Sequence, residues 1–231
     1  MNLEIPPGSP FLQASFYLLA AIIVATTAML GRRFFVGVLI WVAVVSAASF
    51  AGLLLPRLGG PPVPFVIMLA SVIAGGIVIA RSAAGDRLAR HAPLAWLVGF
   101  QAFRLPLELA MHRAYTEGVM PVQMSYSGRN FDIVTGITAV VLGIAMAITV
   151  VPRWVVAAWN WMGLLLLVNV VSVAVVSTPM FAWFGPERLN VFVMRMPYTL
   201  LPAVMVLAAW AGHLIVWRAL SLRGPSTPGP R

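Results

Sequence analysis

The chain has no cysteine. Disulfides, thiolate metal sites and cysteine nucleophiles are therefore excluded, and nothing follows about compartment. It also has no lysine, so all fifteen basic residues are arginine. Acidic residues number six, and charged residues of both signs make up 9% of the 231. Soluble domains carry about 25%. A chain this poor in charge cannot coat a water-facing surface, so its outer surface is expected to face lipid. The net charge of +9 would suit nucleic acid in a soluble protein. Here the arginines fall between apolar runs and read as topology signals and contacts to anionic lipid. Membrane lipids are the expected partners, and nucleic acid is not. The opening MNLEIPPGSP lacks a basic n-region and a small-residue cleavage site, so the first apolar run is expected to be retained. No internal repeat is visible, which removes support for an inverted-repeat transporter.

What is present is apolar sequence in long runs, 61% of the chain. It divides into segments at residues 11–30, 34–55, 64–80, 93–115, 131–151, 153–176 and 198–220. At ~20 residues per span this predicts an all-α integral membrane bundle of about seven transmembrane helices in one domain, residues 1–231. The breaker-rich PRLGGPPVP between segments two and three cannot be helical. Small residues at four-residue spacing, Ala70/Ala74 and Thr135/Ala139/Gly143/Ala147, mark faces for close helix packing. STPMFAWFGPERLNVFVMRMP, before segment seven, is apolar but broken by prolines. It reads as an interfacial or re-entrant loop with a short helix near Pro186. Residues 221–231 read as a disordered tail.

Seven spans put nine arginines on one side: Arg32, Arg33, Arg81, Arg87, Arg90, Arg153, Arg218, Arg223 and Arg231. Five lie on the other: Arg57, Arg113, Arg129, Arg188 and Arg195. The richer side is expected to be cytoplasmic. This predicts a bacterial inner-membrane, multi-pass protein with its N-terminus outside and its C-terminus in the cytoplasm.

Most of the polar chemistry within the membrane falls in residues 101–132. Gln101, Arg104, Glu108, His112 and Tyr115 recur at spacings of three, four, four and three, which is one stripe of a helix. The opposite face is apolar, so the stripe is expected to face the bundle interior. Arg104 would lie near mid-membrane, where each charge costs about 2.5–3.5 kcal/mol. Pairing offsets that cost, and the spacing suggests Arg104 with Glu108, then Glu108 with His112. Pro106 lacks an N–H and should kink the helix, baring the Ala102 carbonyl. Two readings stand side by side: an ion pair that fixes packing, and a ligand or catalytic pocket with Glu108 and His112 as acid and base.

The loop SYSGRNFD then enters segment five. Asn130 or Asp132 suits an N-cap. Arg129 could pair with Glu117 or Glu108 and close the loop over the stripe, with Glu187, Arg188, Asn190 and Arg195 as a lid. Glu108, His112, Glu117 and Asp132 are ligand types for a hard or borderline metal, but their spacing matches no specific metal motif and no metal site is assigned. His213 lies in segment seven, deeper than His112, and reads as a packing or ligand-binding histidine. Asn160 and Asn169 read as interhelix glue. The methionines toward the outer side suit copper(I) by chemistry, but methionine more often fills membrane cores. The residues point to no cofactor, protein partner or oligomeric state.

At FRLPLE (Phe103 to Glu108), GRNFDIVTG (Gly128 to Gly136) and LPAVMVLAAWAGH (Leu201 to His213), the chain resembles a family of small bacterial multi-pass membrane proteins with no assigned activity. The resemblance covers segments four to seven. It implies a shared site at Arg104, Glu108, Arg129, Asn130, Asp132 and His213, and no particular chemistry. Three classes of function are expected: a membrane enzyme or lipid-handling protein, a small-molecule or proton-linked transporter, and a non-catalytic assembly subunit.

Overall fold

The computed structural model describes residues 6–56 and 63–223. Most of these are helical, and among them there is no strand. The α-helices are α1 (Pro10–Thr26), α2 (Arg32–Phe50), α3 (Val63–Arg81), α4 (Ala83–His91), α5 (Leu94–Phe100), α6 (Arg104–Thr116), α7 (Ile133–Ile148), α8 (Arg153–Val176) and α9 (Leu207–Leu222). Among the described residues, six helical stretches are long and apolar enough to cross a membrane: Pro10–Leu30, Arg32–Phe50, Val63–Arg81, Leu94–Thr116, Arg153–Val176 and Leu201–Leu222. The expected all-α membrane bundle is present. Of the breaker-rich PRLGGPPVP, residues 57–62 lie outside the described residues, as does the tail at 224–231, while Val63 and Pro64, expected to be non-helical, open α3. Residues 221 and 222, expected in the tail, continue α9.

The seventh apolar helix, α7, differs from the others, and the difference positions the site. Its 16 residues span about 24 Å, short of the ~30 Å hydrocarbon thickness. Asp132, at its N-terminal end, hydrogen-bonds Arg104 from the middle of the Leu94–Thr116 stretch. So α7 begins level with the middle of that stretch, and the chain from Glu117 to Asp132 packs beyond its N-terminal end. That segment is no surface loop: Val119, Met120, Gln123, Met124, Ser125 and Asn130 are buried.

The segment before α9 is also buried. Phe192, Val193, Met194 and Tyr198 pack in the core. Non-helical backbone at this depth needs partners inside the protein. Ser49 Oγ donates to the Met194 carbonyl at 3.0 Å, the Asn190 N–H donates to the Ser177 carbonyl at 2.7 Å, and Gln123 Nε2 donates to the Arg188 carbonyl at 2.7 Å. Of the residues expected to form a lid, Asn190 is buried in this segment, while Glu187, Arg188 and Arg195 are exposed. The short helix expected near Pro186 is a single 3₁₀ turn, Pro186–Arg188.

Two membrane helices change pitch along their length without unwinding. Between α5 and α6 the backbone tightens into a 3₁₀ turn at Gln101–Phe103. Pro106 then falls in the first turn of α6, where a missing N–H costs no helical bond. Ahead of α9 the chain makes a wider π-helical turn, Leu201–Val206, that contains Pro202. Trp41 Nε1 donates to the Ala203 carbonyl there, at 2.9 Å.

At the end of the bundle that holds α4, arginines bind backbone carbonyls. Arg218 donates to Ala80 O and to Asp86, both at 2.6 Å, and Arg223 donates to Ala89 O at 2.8 Å and Ala92 O at 2.6 Å. Arg153 donates to the Arg223 and Leu220 carbonyls. Free carbonyls at helix C-termini take such cations well. The Asp86 carboxyl is held below its ordinary 3.8, first by the Arg90 hydrogen bond and also by Arg218.

Candidate functional site: a buried polar network

Arg104 is fully buried and every one of its guanidinium nitrogens is used. Nε donates to Asp132 Oδ2 at 2.6 Å, and Nη2 donates to Asp132 Oδ1, a bidentate pair. Nη1 lies 2.8 Å from His213 Nε2. A guanidinium cannot accept, so the imidazole must accept at Nε2 and carry its proton at Nδ1. That proton is donated to Asn160 Oδ1 at 2.8 Å. The other Asn160 group, Nδ2, lies 3.3 Å from the His213 carbonyl, which fixes the amide orientation.

On the other side, the Asp132 N–H donates to Asn130 Oδ1 at 3.0 Å, and Thr135 Oγ1 donates to Asp132 Oδ1 at 3.3 Å. Asn130 Nδ2 then points at Glu108, 3.0 and 2.8 Å from its two carboxylate oxygens, and at Met124 O, 3.0 Å away. The result is one buried chain: Glu108, Asn130, Asp132, Arg104, His213, Asn160. It ties α6, α7, α8 and α9 together.

Two glycines make room for it. A Cβ on Gly136 would overlap the backbone at Arg104 and Leu105, so only glycine lets α7 bring Asp132 this close to α6. A Cβ on Gly163 would strike the His213 ring and Thr135 Cγ2. Asn160 and Gly163 are therefore a working pair on α8, one holding the imidazole and one leaving it space. Sequence reasoning placed Asn160 among general packing groups. Its signal was the small residue three positions on.

Arg104, Glu108 and Asp132 form the polar wall of a cavity of about 50 Å³. The rest is apolar, including Phe65, Met111, Met124, Leu167 and Met205. The cavity has room for one or two waters. It is far below the ~300–1,000 Å³ of a drug-sized pocket. The 3₁₀ break at 101–103 and the wide turn at 201–206 both flank it, the second directly through Leu201 and Pro202.

The structure redraws the expected pairings. Arg104 pairs with Asp132, not Glu108. Glu108 meets Asn130, not His112. His112 is only half-buried: Nδ1 lies 2.9 Å from Ser125 Oγ, and the ring stacks on Tyr126 at 4.3 Å. Arg104 and Glu108 are adjacent on one helix face, but α7 presents a carboxylate squarely to the guanidinium fork, which an i,i+4 side chain does not do.

Arg129 is exposed and lies over the Phe184 ring at 5.4 Å, so it pairs with neither Glu117 nor Glu108. Glu117 is outside the network altogether. It accepts from the Ser9 N–H at 2.6 Å, from Ser9 Oγ at 2.8 Å and from Arg113 at 2.7 Å. Gln101 is buried, but its Nε2 donates to the Ala209 carbonyl at 3.1 Å, across Gly212. It pins the α5–α6 break to α9. Asp132 does sit at the N-cap position of α7, yet its carboxylate serves Arg104 and caps no N–H. Among the described residues no three His, Asp or Glu side chains converge. Met111, Met124, Met194 and Met205 are core filling. Compared with known proteins, the chain matches no family model, no curated protein and no solved structure.

Proposed function

We propose that this membrane protein is a proton-linked carrier in which Glu108 takes up and releases the proton. The observation that carries the reading is the bonding of Glu108. It is buried in the cavity wall and, among the described residues, makes no ion pair. Among the described residues its only donor is one Asn130 nitrogen, shared between both carboxylate oxygens and a carbonyl. Arg104 and Asp132 cancel each other's charge. The cluster is therefore balanced by a proton, or by positive charge on a cargo, at Glu108. Local departures from α-helical pitch are tolerated in a membrane helix where neighbouring groups satisfy the backbone, and both such turns in this bundle flank the cavity.

The enzyme reading, with Glu108 and His112 as acid and base, loses support because the two share no hydrogen bond and face different partners. The assembly-subunit reading keeps one observation in its favour: each guanidinium nitrogen of Arg104 already has a partner within the protein. We place the protein in a bacterial inner membrane with the α4 end in the cytoplasm, on the strength of the arginine distribution. The residues of the FRLPLE and GRNFDI strings that meet in the network are taken as the core of the family resemblance.

The test is proton flux in liposomes holding a pH-sensitive dye, with wild type beside Glu108→Gln. The expected result is dissipation of an imposed pH gradient by wild type and none by Glu108→Gln, with equal melting temperatures. Infrared difference spectra across a pH step should show a carboxyl band that the variant lacks. Equal flux and no such band would overturn the carrier and leave the clamp.

A further inference from the structure

A second, much larger space lies apart from the polar network. On one side α1 packs on α6 and on the 201–206 turn, and on the other α5 packs on α7 and α9. Between them, at the α4 end, is a cleft of about 1,100 Å³. Its walls are almost wholly apolar: Val24 and Val38, then Trp96 and Phe100, then Val140 and Ile144. Met29, Trp96 and Ile144 are well exposed there. An unfilled apolar space forfeits dispersion contacts on every wall. In a bilayer the chemically matched filling is an acyl chain, as apolar as the side chains it touches.

The mouth carries one cation, Arg87, with an imidazole beside it. Arg87 and His91, on the exposed face of α4, line it beside Thr27 and Leu30. Arg87 is held there by a hydrogen bond from Nη2 to the Leu30 carbonyl at 3.1 Å. The acidic residue of α4, Asp86, is already taken by Arg90 at 2.8 Å and Arg218 at 2.6 Å. Among the described residues, then, neither Arg87 nor His91 pairs with a carboxylate. Arg32 and Arg33 follow at the start of α2, next to Phe34 of the cleft wall. An apolar slot with cationic side chains at its rim complements a phosphate ester on hydrocarbon.

We propose that an anionic phospholipid occupies this cleft, its acyl chain between α1–α2 and α5–α7 and its phosphate held by Arg87 and His91. The site is independent of the carrier reading and stands on different residues.

Gly99 supplies a clean test. It lines the cleft, and a Cβ there would meet nothing within 4 Å. Gly99→Phe should fill the slot without disturbing the fold, and it removes a glycine from a helical stretch. The full chain, delipidated in detergent, would be mixed with phosphatidylglycerol or phosphatidylcholine and counted by native mass spectrometry. Wild type should hold one phosphatidylglycerol in preference to phosphatidylcholine. Arg87→Gln with His91→Gln should weaken phosphatidylglycerol by about fivefold or more and erase the preference. Gly99→Phe should lose both lipids, and Glu108→Gln should bind as wild type does. Equal binding of the two lipids by wild type, or undiminished adducts in Gly99→Phe with an unchanged melting temperature, would overturn the proposal.

Discussion

Arg104 and Arg218 carry the same group to opposite fates. Arg104 is sealed in the bundle, where its guanidinium meets one carboxylate and one neutral imidazole. Arg218 is a third exposed at the α4 end, where it shares Asp86 with Arg90 and takes the Ala80 carbonyl. Buried, a charge that loses its partner has no water to turn to. At the surface, water replaces the partner at little cost. The same charged group therefore holds the four helices around Arg104 in one arrangement and only trims the α4 end.

The largest effect is expected from Arg104→Ala. It leaves Asp132 ionised and alone in the interior, a loss of about 3–5 kcal/mol, read as a fall in melting temperature in detergent. Replacing both partners, Arg104→Met with Asp132→Leu, should recover most of that loss. If the double variant melts as low as the single one, the pair is more than an electrostatic clamp. Gly136→Val comes next, because its side chain collides with the α6 backbone and pushes Asp132 from Arg104. About 1–3 kcal/mol is expected from overpacking of this kind, and Gly136→Ala should fall between Val and wild type. Glu108→Gln should change stability least among the buried positions, since Asn130 can bond an amide oxygen as it bonds the carboxylate. A large destabilisation would show that Glu108 is part of the clamp.

At the surface, Arg218→Gln should leave the melting temperature unresolved from wild type. The other polar end has its own signature in pH. Glu117 is held below its ordinary 4.5, first by the Ser9 N–H, then by Ser9 Oγ and Arg113. A carboxyl lowered on folding contributes stability above its unfolded value and loses it as pH falls through the lower folded value. Amide-exchange protection at residues 9–13 should therefore be complete above the ordinary 4.5 and fall away as pH drops below it. Glu117→Gln should remove that pH dependence, and a profile unchanged in the variant would break the contrast between buried and surface charge.

Much of this was readable in the chain. Sparse charge and long apolar runs dictate helices in lipid, because only internal hydrogen bonding satisfies a backbone there. The three-and-four spacing put Gln101, Arg104 and Glu108 on a buried face, where they lie. The partners were not readable. Spacing along one helix names neighbours on that helix, so it suggested Glu108 for Arg104 and His112 for Glu108. The true partners, Asp132, Asn130, His213 and Asn160, come from three other elements and from a non-helical segment buried inside the bundle.

The sequence by itself determined the class of molecule, the approximate spans and the face on which the charges lie, since hydrophobicity and helical period are local properties. Tertiary structure alone decided which charges meet. It turned on two contacts made possible by missing side chains, Gly136 on the α6 backbone and Gly163 on the His213 ring, and such close approach between distant segments leaves no periodic trace in the sequence.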